Sequence, residues 1–184
     1  MYNGENKTAL LSQQMISDAL LRLLEIESFA EISISTLCKE AQVSRQTFYS
    51  LFGTKENVVI YLLQTHFCYH PTEDQNICRS ANFRNFCIGY SEYVIRNQGV
   101  LETLVRNDLM HYLYDVQYNC LMENTHFMQD IPQDERLFLV DFITGGMNSI
   151  VKNYMNCARR GDCDYLEKLM YRLFSGYYFI KLPD

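Results

Sequence analysis

Apolar residues recur every three to four positions along most of this chain, which is the spacing of amphipathic helices. The first such stretch runs from Lys7 to about Ser28. There, two neighbouring apolar rows give a wide stripe: Leu11, Met15, Ala19 and Leu23 beside Ile16, Leu20 and Leu24. Only 3 prolines and 8 glycines occur in 184 residues, so little interrupts long helices. The pattern therefore predicts an all-α fold.

Two short helices with a shared sequence pattern are predicted next. Ser33 precedes one and Ser44 the other, and serine is a favoured N-cap residue. Each serine is flanked by the apolar pair of a hydrophobic staple, Ile32 with Leu37 and Val43 with Phe48. A turn of only two or three residues separates the helices, and Thr54 can cap a third one. This arrangement predicts a three-helix, helix-turn-helix domain.

The second of these short helices has two chemically different faces. Phe48, Leu51 and Phe52 fall on an apolar face, which leaves a polar face for another partner. An arginine can contact guanine or phosphate, a glutamine can read adenine, and hydroxyl groups and helix N-termini can bind phosphates. We therefore predict that this surface contacts DNA through Ser33, Ser44, Arg45, Gln46, Thr47, Tyr49 and Ser50.

Residues 9–60 resemble the DNA-binding domain of the TetR family of bacterial transcription regulators. The resemblance rests on Ile32-Ser33, Leu37-Cys38, Ala41, Val43-Ser44 and, above all, the run Phe-Tyr-x-x-Phe-x-x-Lys-Glu from Phe48 to Glu56. It implies a regulator, expected to be a repressor, that binds palindromic operator DNA as a homodimer. Lys55 resembles the family's phosphate-contacting lysine. Gln42 stands where the family usually has glycine, so a left-handed backbone would be less favourable there. Leu51 and Gly53 replace residues that are polar or basic in many members.

The remaining sequence predicts a second helical domain, so we divide the chain into 1–55 and 56–184, with about nine helices in total. Two long amphipathic helices, at about 134–160 and 164–180, are apolar on more than one side and suit a four-helix bundle made by two chains. The segment 142–162 also resembles the penultimate helix of a Gram-positive TetR-like subgroup. The predicted dimer contacts are Phe142, Met147, Ile150, Tyr154, Leu169, Leu173 and Tyr177.

The two middle helices, at about 81–97 and 108–127, are rich in aromatic residues. The family resemblance implies a small-molecule effector between such helices, although nothing in the sequence identifies it. The same residues could also be ordinary core. The predicted pocket consists of Phe86, Cys87, Tyr90, Tyr93, Met110, His111, Tyr114 and Tyr118.

Charge limits how DNA would be bound. The chain carries a net charge of −6, and residues 1–60 hold five Lys or Arg against seven Asp or Glu. Counterion release should therefore be modest, and affinity should depend on two half-sites read together.

The seven cysteines include no close CxxC pair, and no apolar signal core or membrane-length segment is visible. We expect a cytoplasmic protein with reduced thiols, no membrane association, and no metal or cofactor. Cys68 and Cys78 with His66 and His70 could form a metal site, but their spacing fits no standard motif. Cys78 and Cys157, each near arginine, are the candidates for oxidation sensing.

No constellation of residues predicts an enzyme. Two alternatives stay open: a protein-interaction module whose helix-turn-helix no longer binds DNA, and a thiol or metal sensor on the same scaffold.

Overall fold

The computed structural model describes residues 1–71, 80–125, 127–128, 130–158 and 161–176. Over this part of the chain it contains nine α-helices and no strand, which confirms the predicted all-α class. The helices are α1 (Lys7–Ile26), α2 (Ile34–Glu40), α3 (Arg45–Leu51), α4 (Lys55–His66), α5 (Ser80–Arg96), α6 (Gln98–Arg106), α7 (Met110–Glu123), α8 (Gln133–Asn156) and α9 (Cys163–Phe174). Within the described ranges no helix is both long and apolar enough to cross a membrane.

Helices α1 to α4 enclose the first part of the core. Most of the predicted apolar stripe of α1 is buried, with Ile16 and Leu20 fully inaccessible, but Leu11 is 61% exposed and Met15 is half-buried. Phe48 from α3 packs beside Phe52, whose ring contacts Tyr61 of α4 edge to face. The inner face of α3 is therefore fixed to α4, the helix that leads into the rest of the chain.

The second part of the core lies among α5 to α9, where α5 packs mainly on α9 and α7 mainly on α8. Gly146 allows α8 and α9 to approach closely, since a Cβ atom there would lie 2.7 Å from the ring of Phe174. Helix α8 ends at Asn156 rather than near residue 160. Helix α9 ends at Phe174 because Gly176 adopts a positive φ of 74°. Residues 177–180 of the predicted last helix lie outside the described residues.

Two contacts connect the N-terminal helices to the rest of the chain. Helix α4 packs along α7. The end of α6 binds the end of α1, because Arg106 Nη2 donates to the carbonyl of Leu24 at 3.0 Å. Asn107 Oδ1 also accepts from the backbone N–H of Phe29 at 2.9 Å. A shift of either α6 or α7 would therefore reach the helix-turn-helix.

Candidate DNA-binding surface

The turn between α2 and α3 is a Schellman motif. The Val43 N–H donates to the Cys38 carbonyl at 3.0 Å, and the Gln42 N–H donates to the Lys39 carbonyl at 3.2 Å. This motif needs a left-handed residue at its centre, and Gln42 has φ 55°. The anticipated left-handed conformation is thus present, and it is carried by a residue with a Cβ atom.

Both predicted serine caps are confirmed. The Thr36 N–H donates to Ser33 Oγ and the Thr47 N–H donates to Ser44 Oγ, each at 3.0 Å. The Ser44 and Thr47 hydroxyls also share a hydrogen bond of 2.8 Å. These local bonds fix where α2 and α3 begin, so the short helices keep a defined geometry without extra length.

The outer face of α3 is polar and accessible. Arg45, Gln46, Tyr49 and Ser50 are exposed, with 49% of Tyr49 accessible. Thr47 is half-buried, while Phe48 points into the core. Among the residues described, Arg45 takes part in no ion pair, so its guanidinium group is available to a ligand.

Lys55 has a different position from the other predicted contacts. Its ammonium group donates to the carbonyls of Phe29, Ala30 and Ile32, at 3.4 Å to Ala30 and 3.0 Å to Ile32. It also lies 4.5 Å from the centre of the Phe29 ring. An ammonium group has three donors, and the carbonyls of Phe29 and Ile32 take two of them, while the contact with Ala30 is long. In this conformation Lys55 therefore closes the α1–α2 loop and has at most one donor left for a phosphate.

None of the acidic residues of this domain lies on α3. Helix α3 itself contains no carboxylate, and Glu40 of α2 is paired with Arg22 of α1 at 2.8 Å. The net negative charge of residues 1–60 is thus not concentrated on the face that carries Arg45.

The residues of the predicted effector pocket separate into two groups. On α5, Phe86, Cys87, Tyr90 and Tyr93 are buried and pack around Tyr69 as continuous core. On α7, Met110, His111, Tyr114 and Tyr118 are half-buried or exposed. The prediction placed all eight around one space, but α5 packs mainly on α9 and α7 mainly on α8, so the two groups face different neighbours.

An apolar cavity of about 290 Å³ lies elsewhere, between α5, α8 and α9. Its lining residues are Phe83, Phe86, Met128, Leu139, Phe142, Ile143, Phe174 and Ser175. Phe86 is shared with the sequence-predicted pocket. Nothing in the helical periodicity distinguishes residues that line this cavity from residues that close-pack, so its position could not be predicted from the sequence.

The predicted dimer contacts also divide by burial. Phe142 is 68% exposed and Leu173 is exposed, and Leu169 is half-buried. Met147 is fully buried within its own chain, and Ile150 and Tyr154 are nearly so, because α8 turns these residues toward the core. Tyr177 lies outside the described residues. The sequence missed Phe138, which is 79% exposed one turn before Phe142.

The thiols fall into three environments. Cys68 and Cys120 are paired as a disulfide, which differs from the expectation of reduced thiols throughout. Cys87 is buried, and burial raises the pKa of its thiol to about 12, so it stays protonated. Cys157 is exposed, whereas Cys78 lies outside the described residues.

Comparison with known proteins finds a family match over the helix-turn-helix region. Residues 16–62 match the family described as bacterial regulatory proteins, tetR family. Over 129 residues the chain is 21% identical to the HTH-type dhaKLM operon transcriptional activator DhaS of Lactococcus lactis subsp. lactis (strain IL1403), covering 70% of this chain and 67% of the relative. Over 42 residues it is 52% identical to the HTH-type transcriptional regulator EthR of Mycolicibacterium smegmatis (strain ATCC 700084 / mc(2)155), covering 23% of this chain and 19% of EthR.

Solved structures extend the similarity of fold to nearly the whole chain. A TetR transcriptional regulator from Streptococcus agalactiae 2603V aligns with a TM-score of 0.62 at 20% identity, over 91% of this chain and 96% of that one. The dihydroxyacetone kinase operon activator DhaS aligns with a TM-score of 0.57 at 17% identity, over 94% and 99%.

The capped helix-turn-helix and the helical domain behind it have the fold of the solved TetR regulator. Within that fold, residues 16–62 are similar to the tetR family of bacterial regulatory proteins.

Proposed function

We propose that two copies of this chain bind a palindromic operator, with α3 of each copy in a major groove. The observation that carries the proposal is the asymmetry of α3, whose inner face is locked into the core by Phe48 while Arg45, Gln46 and Tyr49 stay accessible. Residues 1–55 form the DNA-binding domain and residues 56–184 the dimerisation and effector domain in this proposal.

The residues of the DNA surface divide into reading and positioning roles. Arg45 and Gln46 read base edges. Tyr49, Thr47 and Ser50 donate hydroxyl hydrogen bonds to phosphates, and these set the register. Ser33 and Ser44 contribute through the N-termini of α2 and α3, where backbone N–H groups attract phosphate oxygens.

Dimerisation is proposed through α8 and α9. Phe138, Phe142, Gly145 and Ser149 follow one another at spacings of four, three and four, so they form one stripe along α8. A Cβ atom at Gly145 would meet nothing within 4 Å in its own chain. A mid-helix glycine costs stability relative to alanine, so a close partner helix would explain why this position is open. Leu173 on α9 extends the same apolar surface.

An apolar small molecule in the cavity between α5, α8 and α9 is the proposed effector. Phe142 lines this cavity and also belongs to the exposed stripe of α8, and its ring meets that of Phe174 edge to face. Helix α8 packs on α6 and α7, which contact α1 and α4. A ligand that moves α8 can therefore change the separation of the two α3 helices and so shift the population that fits the operator.

Repression is part of the proposal, because a dimer bound across a promoter excludes polymerase from it. The DhaS relative carries the word activator in its name, so a reporter fused to the operator should be measured with and without the protein. Reporter expression that falls when the protein is removed would reverse the assignment.

Genomic fragment selection at two salt concentrations tests the proposal. Fragments enriched by the wild-type protein should be lost with an Arg45→Ala, Tyr49→Ala double variant. They should be retained with Arg96→Ala, which removes an exposed charge from the last turn of α5, outside the helix-turn-helix. The absence of any enriched fragment even at low salt would contradict DNA reading and favour a protein-interaction role for this surface.

A further inference from the structure

The segment that follows α4 is held in place by side chains from two other helices. The Tyr93 hydroxyl of α5 donates to the Phe67 carbonyl. Gln117 of α7 clamps Tyr69, because its Nε2 donates to the Tyr69 carbonyl at 2.7 Å and its Oε1 accepts from the Tyr69 N–H at 3.4 Å. Asn124, at the end of α7, donates to the Pro71 carbonyl at 2.8 Å. The backbone of residues 67–71 is thus anchored at every second residue.

This anchoring brings three metal-ligating side chains together. Cys120 lies on the same face of α7 as Gln117 and Asn124, three residues after one and four before the other. The sulfur atoms of Cys68 and Cys120 and a ring nitrogen of His70 all lie within 4.8 Å of one another. Tyr69, between Cys68 and His70, is buried instead. The anchored segment therefore presents two donors to a third on α7.

The spacing of the backbone fits an ion between the two sulfurs. The Cα atoms of Cys68 and Cys120 are 7.2 Å apart, whereas disulfides usually join Cα atoms about 4.4–6.8 Å apart. A disulfide also makes no use of the His70 imidazole beside it. Two thiolates and an imidazole are a ligand set that suits zinc.

We propose that Cys68, His70 and Cys120 of the reduced protein bind one Zn²⁺ ion. Each cysteine loses its thiol proton to solvent as its sulfur binds the ion, and neutral His70 donates a ring-nitrogen lone pair. Bond lengths of about 2.3 Å to sulfur and 2.0–2.1 Å to nitrogen place tetrahedral donors about 3.5–3.8 Å apart. The two sulfur atoms therefore move apart from their bonded distance once the disulfide is reduced, while all three donors stay within the 4.8 Å span of the cluster. Solvent reaches the site, because His70 is exposed and both cysteines are half-buried, so water can take the fourth position.

The test uses full-length protein, reduced with a phosphine, stripped of metal and kept free of oxygen. Titration with Zn²⁺ against a chromophoric chelator should show one ion per chain, and Co²⁺ should give a thiolate-to-metal charge-transfer band. Cys68→Ser, Cys120→Ser and His70→Ala should each weaken binding by about 10-fold or more. Cys157→Ser removes an exposed thiol outside the cluster and should leave binding unchanged.

The His70→Ala variant keeps the test decisive if a serine variant fails to fold, because it truncates an exposed side chain and leaves both sulfurs in place. Zinc binding that is equally tight in wild type and His70→Ala would overturn the three-ligand site. Protein whose Cys68–Cys120 bond resists the phosphine and which takes up no Zn²⁺ would show that the pair is a structural disulfide only, and the proposal would be wrong.

Discussion

Replacing Lys55 with methionine separates a structural role from a DNA-contacting one. Methionine retains most of the aliphatic stem but removes the ammonium group that donates to the carbonyls of Phe29, Ala30 and Ile32. The α1–α2 loop then loses its closing contact, while the apolar packing against the Phe29 ring is largely preserved.

The expected loss follows from those contacts. A hydrogen bond from a charged group contributes about 1.5–3 kcal/mol, and a cation over an aromatic ring adds about 0.5–1 kcal/mol at an accessible site. The Ala30 contact, at 3.4 Å, is too long to contribute much. Water reaches this half-buried loop and replaces part of what is lost. We therefore expect Lys55→Met to lower the free energy of unfolding by about 2–3 kcal/mol, or the Tm by about 5–10 °C for a chain of this size.

Thermal unfolding followed by circular dichroism measures this loss. Lys39→Met is the matched control, since Lys39 is an exposed lysine on α2, and it should change stability by less than about 0.5 kcal/mol. Operator affinity is then compared at a temperature where all variants are folded, and Lys55→Met should lose far less than Arg45→Ala. A Lys55→Met protein with unchanged Tm and an affinity as poor as that of Arg45→Ala would refute the structural role.

Three further changes test other parts of the structure. Gln42→Gly should raise the free energy of unfolding by about 0.5–1 kcal/mol. A left-handed backbone costs a residue with a Cβ atom about 1–2 kcal/mol, and glycine offsets part of that gain by losing about 0.5–1 kcal/mol of entropy on folding. A lower Tm in a thermal melt would contradict a left-handed conformation at residue 42. Phe138→Glu should convert a dimer to a monomer in analytical ultracentrifugation, whereas Ile26→Glu, at a site 77% exposed on α1, should not; equal behaviour of the two variants would exclude this face of α8. Gln117→Leu should destabilise the chain by about 2–4 kcal/mol, because the buried Tyr69 N–H and carbonyl lose their hydrogen bonds to Gln117, and amide exchange at residue 69 should accelerate; unchanged exchange would show that Gln117 does not hold the segment.

The helix-turn-helix was predictable because its determinants are local. The caps at Ser33, Ser44 and Thr54 each use a bond to the backbone three residues ahead, and all three are present. The left-handed backbone at residue 42 could also be anticipated, since α2 ends only a few residues before the N-cap of α3.

Features that depend on distant contacts were not predictable. Cys68 and His70 are two residues apart and raised the question of a metal site, but the third donor, Cys120, is 52 residues from Cys68, and no sequence pattern links them. Lys55 was assigned to DNA contact by resemblance to the family. Its sequence position suits a phosphate contact equally well as a contact with the carbonyls of the α1–α2 loop, and only the folded chain brings that loop near.

Helix α8 shows a different limit. It is apolar on several sides, so its periodicity could not say which residues face the core and which face outward. Met147 proved to be core, while Phe138 and Phe142 are exposed.

The affinity of the protein for an intact operator, compared with its affinity for the same operator after one half-site has been scrambled, shows whether two half-sites are read together. In the proposed dimer, the two α3 helices read half-sites roughly 34–36 Å apart, or one DNA turn. Because the DNA-binding domain adds little electrostatic attraction, scrambling one half-site should lower the affinity at least about 100-fold, a coupling of about 2.8 kcal/mol. Fluorescence anisotropy at fixed salt measures both affinities. Equal affinity for the intact and the half-scrambled operator would contradict the account.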